Sequence, residues 1–216
     1  MKHSFVLVAS VSALGSACIV PPMRVGAGGG AAAGTVATID NQMHTNEHGA
    51  ALVGEVRAAV TPLALADHPP ERLDVGAGVA FDYLDATSGA QRHEMMLSPY
   101  VEGAWFVHRV ADGDDRWRIG PTVLAEVPLR LNPPDEVGVP FGLAAGVLAE
   151  LTERVDGPMV FGGARGAWGI GLSVRGGVRH DVGDTYGYVL FSVEARVPGM
   201  VALPLPAPAR RSTGTD

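Results

Sequence analysis

The chain has 216 residues, 47% of them hydrophobic and only 18% charged, with a net charge of −7, 29 glycines and one cysteine. That length bounds it to one domain with short extras, and the acidic balance gives no footing for nucleic-acid binding. A lone Cys18 excludes an intramolecular disulfide framework, and no apolar run reaches the roughly 18 residues of a spanning helix, so any membrane crossing falls to strands.

Lys2, the chain's only lysine, and His3 precede the apolar run from Phe5 to Leu14, followed by Gly15, Ser16 and Ala17. A charged start, a short apolar middle and a small-residue cut site predict a secretory signal over residues 1–17. Leu14-Gly15-Ser16-Ala17-Cys18 resembles a bacterial lipobox, with the leucine four rather than three residues before the cysteine. The resemblance implies a diacylglycerol on Cys18, residues 18–22 as the anchor segment and, with Ile19 rather than Asp next, sorting to the outer membrane. An ordinary signal peptide cut at the same bond is the alternative.

Beyond this, the chain alternates. Met23–Gly34 reads as a Gly/Ala linker or as a strand that completes an even count, and the strand is adopted; the polar stretch Thr35–His48 is expected to be a loop. Ala50–Leu63 sets Leu52, Val56, Ala58 and Val60 against Glu55 and Arg57, and His68-Pro69-Pro70 turns the chain. Arg72–Leu84 puts Leu73, Val75, Ala77, Val79, Phe81 and Tyr83 on one parity, and Asp74, Gly76, Gly78 and Asp82 on the other. After a Ser88-Gly89 turn, Glu94–His108 sets Met95, Leu97, Val101 and Trp105 against Glu94, Ser98 and Glu102. Asp112-Gly113-Asp114-Asp115 predicts a hairpin.

Arg116–Leu131 alternates at length: Trp117, Ile119, Val123, Ala125, Val127, Leu129 and Leu131 oppose Arg116, Arg118, Gly120, Thr122, Glu126 and Arg130, with Leu124 the apolar intruder. Successive side chains of a strand point to opposite faces, so each such segment has one oily and one charged face. Asn132-Pro133-Pro134-Asp135 breaks the pattern before Phe141–Glu153, and Asp156-Gly157-Pro158 is expected to turn it again. Val160–His180 reads as one strand, with a hairpin near Gly163–Gly166 as the alternative. Tyr186–Val197 is the last strand, and the proline-rich residues 198–216 are expected to be a disordered tail.

Which way the oil points is decided by four features. The segments are long for strands in water. Their polar faces are crowded with glycine and alanine, which a narrow lumen requires. The charges there are of both signs and free of lysine: Glu55, Arg57, Glu102, Arg118, Glu126, Arg130, Glu150, Arg165, Arg175, Glu194 and Arg196. Buried together they neutralise one another. Finally, Phe81, Tyr83, Trp105, Trp117, Phe141, Phe161, Tyr186 and Tyr188 lie towards segment ends, as interfacial girdles do, with Trp168 the exception.

These segments resemble the small eight-stranded outer-membrane barrels of the OmpA/OmpX kind, over residues 23–197. The resemblance implies an all-β, antiparallel up-and-down transmembrane β-barrel with its charges in the lumen. It departs from the family in lacking a terminal aromatic and in placing Pro62, Pro99, Pro121 and Pro128 within strands, where each removes a ladder donor. With an even strand count, connections near 35–48, 86–91, 132–139 and 181–185 share one side, and those near 64–71, 110–115 and 154–159 share the side of the termini.

Few residues suggest reactivity. His44-Thr45-Asn46-Glu47-His48 matches the H-x-x-E-H zinc pattern, but Gly49 and the polar surroundings favour a loop over the helix that chemistry needs. Asp112, Asp114 and Asp115 form too short a run for a calcium loop. His180-Asp181 has no serine in a nucleophile context beside it. No cofactor or enzymatic activity is expected; the expectation is an outer-membrane protein in contact with lipid, its lumen plugged by ion pairs and its loops open to an envelope partner. The alternatives are a periplasmic, lipid-anchored barrel that binds an apolar ligand and an outer-membrane hydrolase.

Overall fold

The computed structural model describes residues 18–40, 43–66, 69–86, 93–112, 115–131, 139–159, 162–181 and 184–202. They are almost wholly strand: β1 Cys18–Val20, β2 Met23–Asp40, β3 Met43–Val60, β4 Leu73–Ala86, β5 His93–Trp105, β6 His108–Asp112, β7 Asp115–Glu126, β8 Leu129–Arg130, β9 Phe141–Met159, β10 Gly162–Asp181, β11 Asp184–Val197 and β12 Gly199–Ala202. Every pairing is antiparallel. β2, β3, β4, β5, β7, β9, β10 and β11 pair in that order, and β11 pairs back to β2, closing a ring of eight. The four short strands continue ring strands past local breaks: β1 leads into β2, β6 follows β5, β8 follows β7 and β12 follows β11.

Register fixes the barrel's shape. Following partners from Arg24 through Ala59, Gly78, Tyr100, Glu126, Gly142, Arg179 and Tyr186 leads back to the first strand at Gly34, ten residues further along. With ~3.3 Å per residue and ~4.8 Å between strands, that stagger tilts the strands by about 40°.

Polarity is inside-out relative to a globular core. Val123 is 63% exposed, Phe191 61% and Val193 53%, whereas Glu126 is 5% exposed and Glu194 2%. On the outward parity of Leu52–Val60, Leu73–Tyr83, Met95–Trp105, Trp117–Leu129, Phe141–Leu151, Trp168–Val178 and Val189–Val197, none of the described residues is charged. Leu124, the apolar intruder, is buried in the lumen with Met96, Tyr100, Tyr188 and Leu190.

Met23–Gly34 is strand, and its glycines have a physical reason. A Cβ at Gly30 would fall on the Val189 carbonyl oxygen, so β2 and β11 close only because β2 carries no side chain there. The stretch Thr35–His48 is not a loop: β2 runs to Asp40 and β3 starts at Met43. β11 leaves β2 at Thr35 and β4 leaves β3 at Ala51, so the rest of this hairpin stands beyond the ring as a two-stranded ribbon. Asp156-Gly157-Pro158 is not a turn either; it lies within β9 and pairs with Gly163–Arg165 of β10. At the termini, Cys18–Val20 pairs with Met200–Ala202, so pairing extends past both expected barrel bounds. Residues 1–17 and 203–216, and with them the signal peptide and most of the tail, lie outside the described residues.

The prolines sit where the ladder is already interrupted. Pro62 opens a 3-10 turn, Pro62–Leu65, instead of lying in a strand. Between Ala104↔Thr122 and His108↔Ile119 the β5–β6 side carries one residue more than β7, a bulge at Phe106–Val107. Pro121 faces β5 beside this bulge. Pro99, which accepts a hydrogen bond from the Val127 N–H at 3.0 Å, and Pro128 flank the break between β7 and β8. A second bulge lies at Gly166, whose φ of 124° suits glycine, opposite Pro198.

Replacing Gly30 with valine should keep the β2–β11 seam from closing. The folded fraction of G30V in detergent, read by circular dichroism and by gel mobility before and after boiling, is expected to fall well below wild type, whereas Gly54→Ala, where a Cβ meets nothing within 4 Å, should fold normally.

Candidate functional site

The inward parity of the eight strands carries a chain of ion pairs along the lumen. Towards the rim where Cys18 and Ala202 lie (the termini rim), Arg24 from β2 reaches Asp74 of β4 at 2.5 Å, Glu102 of β5 at 3.0 Å and Glu194 of β11 at 3.6 Å. Arg57 from β3 also pairs with Glu194, and with Glu102 at 3.3 Å. Arg196 bonds Asp74 and lies 3.3 Å from Glu150, which Arg118 bonds in turn while its guanidinium stacks 4.1 Å from the Phe106 ring centroid.

Glu55 joins this group to the next. It stands 3.8 Å from Arg57, pairs with Arg175 and lies 4.0 Å from Arg179. Arg179, fully buried, forks onto Glu126 at 2.6 and 2.9 Å and reaches Asp82 at 3.1 Å. Tyr188 donates to Glu126 at 3.0 Å and Ser98 to Asp82 at 3.1 Å. Arg130 and Glu94 pair at 3.5 Å towards the opposite rim.

Ten of the charges expected in the lumen therefore pair there: Glu55, Arg57, Glu102, Arg118, Glu126, Arg130, Glu150, Arg175, Glu194 and Arg196. Arg165 lies half-buried at the termini rim and donates to the Ala66 carbonyl at 3.2 Å. Sequence reasoning passed over Arg24, Asp74, Asp82, Glu94 and Arg179 as members of the network. Each shares its strand's inward parity, which was the available signal.

Parity also corrects the aromatic girdle. Tyr186 and Tyr188 share a face with Leu190, Ser192, Glu194 and Arg196, so they point inward and are buried. Phe81, Tyr83, Trp105, Trp117, Phe141 and Trp168 point outward, and Phe161 lies outside the described residues. All three tryptophans stand towards the termini rim, while Phe81, Tyr83 and Phe141 stand towards the other.

The remaining candidates are dispersed. His44 and His48 belong to β3, where four residues span about 13 Å and place Glu47 on the other parity. That is not the single helical turn the zinc pattern needs. Asp112↔Asp115 closes the expected hairpin. His180 meets the Thr185 hydroxyl at 2.8 Å and the Phe141 ring at 5.3 Å between centroids. Among the described residues, no group of three or more His, Cys, Asp or Glu could hold a metal ion. A cavity beside Arg57, Glu102 and Arg175 amounts to about 10 Å³, at the lower limit of what holds one water.

No protein-family model matches the chain, and no curated protein matches it well enough to count as a relative.

Removing Arg179 leaves Asp82 and Glu126 buried without their cation, at a cost of about 3–5 kcal/mol. R179M should lower unfolding stability in detergent by that order, and the triple variant R179M/D82N/E126Q should recover much of the loss; equal or additive losses would show that these groups act independently.

Proposed function

We propose that this chain is a bacterial outer-membrane β-barrel, lipid-anchored through Cys18, non-enzymatic, with an ion-paired lumen that serves as a structural plug. The observation that carries this reading is the outward band. Along Met95–Trp105, Phe141–Leu151 and Trp168–Val178 it is uncharged over eleven residues. At a tilt of about 40° such a span covers roughly 25 Å, the height of the apolar belt of outer-membrane barrels. Aromatics flank it at both ends, as interfacial girdles do. Water would penalise such a surface, whereas hydrocarbon accepts it.

The ribbon formed by β2 and β3 beyond Thr35 and Ala51, on the rim away from the termini, is the element best placed to meet an envelope or extracellular partner. Cys18 lies on the opposite rim and pairs with Ala202, so a lipid there would anchor the barrel from the periplasmic leaflet. A barrel holding an apolar ligand inside is disfavoured by a lumen full of carboxylates and guanidiniums. The large apolar hollow, about 960 Å³ beside Gly103, Ala125, Ala145 and Gly176, is shallow and involves outward residues. Hydrolase chemistry is disfavoured by the surroundings of His180, which offer a threonine and an aromatic ring.

Cell fractionation with detergent extraction tests the location. The protein is expected in the outer-membrane fraction with heat-modifiable mobility; recovery in the soluble periplasm would dismiss the reading. Leu172→Arg, in the middle of the outward band and 65% exposed, should cost about 2–4 kcal/mol of stability in a bilayer. A change near zero would mean that this face meets water. Labelling with radioactive palmitate should mark the wild type and be lost in C18A; equal labelling of both would remove the lipid anchor.

A further inference from the structure

At the termini rim, the described residues that line one cavity include more arginines than carboxylates. A cavity of about 80 Å³ is lined on one side by Leu63, Ala64, Pro69 and Pro70. Arg116 and Arg118 of β7, Arg154 of β9, Arg165 of β10 and Arg196 of β11 line it, against only two carboxylates, Glu71 and Asp74. Both acids are already engaged: Asp74 with Arg24 and Arg196, Glu71 with Arg109. Arg118 is held by Glu150.

Arg116 differs in one respect: among the described residues its side chain has no ion pair. Its Nε is buried without a hydrogen-bond partner, as are single nitrogens of Arg24 and Arg179 and two of Arg175. The Nε of Arg196, whose side chain is 6% exposed, also has none. A buried guanidinium N–H without an acceptor is costly, and a chain of net charge −7 gathers cations in one place only against repulsion. A neighbouring hollow of about 320 Å³, lined by Arg109, Arg116 and Arg118 with Glu71, continues the same basic surface towards solvent.

We propose that this vestibule is a binding site for a small doubly charged oxyanion of the phosphate type. Guanidinium forks match the oxygens of phosphate and bond it bidentately. At roughly 30 Å³ per water, the cavity holds two or three waters or one such group. The phosphate reaches it either free in solution or as the terminal monoester of a lipid headgroup at the membrane surface. The site depends on the rim geometry alone and stands whether or not the outward band meets lipid.

Titration of the full-length protein in zwitterionic detergent with inorganic phosphate, followed by calorimetry, is the direct test. Saturable one-to-one binding is expected. R116Q and R165Q should each weaken it by at least about ten-fold. Among the described residues Arg116 has no ion-pair partner to strand, so R116Q should keep the wild-type heat-modifiable mobility. Arg72→Gln, the same charge change at an exposed position of that rim, should leave binding unchanged. Absence of saturation, or equal weakening by R72Q and R116Q, would overturn the proposal. Repeating the titration in nanodiscs with and without phosphatidic acid separates the sources. Loss of phosphate binding only with that lipid assigns the site to a headgroup, and unchanged binding assigns it to free phosphate.

Discussion

A lumen this narrow has to neutralise its own charge, and it does so across strands. Arg24 on β2 holds acids from β4, β5 and β11, and Arg179 on β10 holds acids from β4 and β7. A slip of one residue in any strand would swap its faces, putting carboxylates and guanidiniums outside and valines inside. The same network that is expensive to bury therefore specifies the register, and the register in turn brings each cation to its acids. Removing single members should hurt more than the network as a whole contributes, because the penalty lies in stranding a partner.

Room for these long side chains comes from small neighbours. A Cβ at Gly142 would press on the Glu126 carboxylate, and one at Gly76 on that of Glu102. The inward face thus interleaves glycine and alanine with arginine and glutamate at similar heights. Outside, where nothing is confined, the residues are larger and uniformly apolar. The asymmetry between faces is one of volume as well as polarity.

This two-sided pattern made much of the fold legible. Seven of the eight segments, the outward set led by Val123 and Phe191, and ten of the lumen charges were readable from parity, whereas Met23–Gly34 rested only on the even count. What failed did so for identifiable reasons. Tyr186 and Tyr188 were assigned to a girdle by their position near a strand end, although their parity with Glu194 and Arg196 put them inside. Thr35–His48 is polar because the β2–β3 ribbon leaves the ring, where polarity cannot distinguish a loop from a paired hairpin. Asp156-Gly157-Pro158 has turn chemistry yet pairs within β9, a case in which ladder context outweighed local propensity. The chain of bonds from Glu150 through Arg196 and Asp74 to Arg24 needed the shear, which composition does not encode.

Apart from the β7–β8 break beside Pro99 and Pro128, the breaks in the ladder have a common address. The bulge at Phe106–Val107, the bulge at Gly166, Pro22 and Pro198 all belong to the half of the barrel nearest the termini. A bulge bends its strand and increases local twist, so a rim that contains two of them need not keep the diameter of the middle. The insertion at Phe106 also drives that ring inward, fully buried beneath the Arg118 guanidinium, so Arg118 has support from below. In the middle of the lumen Arg57 and Arg179 are each shared among several acids, because walls on all sides supply them. At this rim both described acids of the vestibule are engaged by other arginines, and among the described residues Arg116 is left without an ion pair.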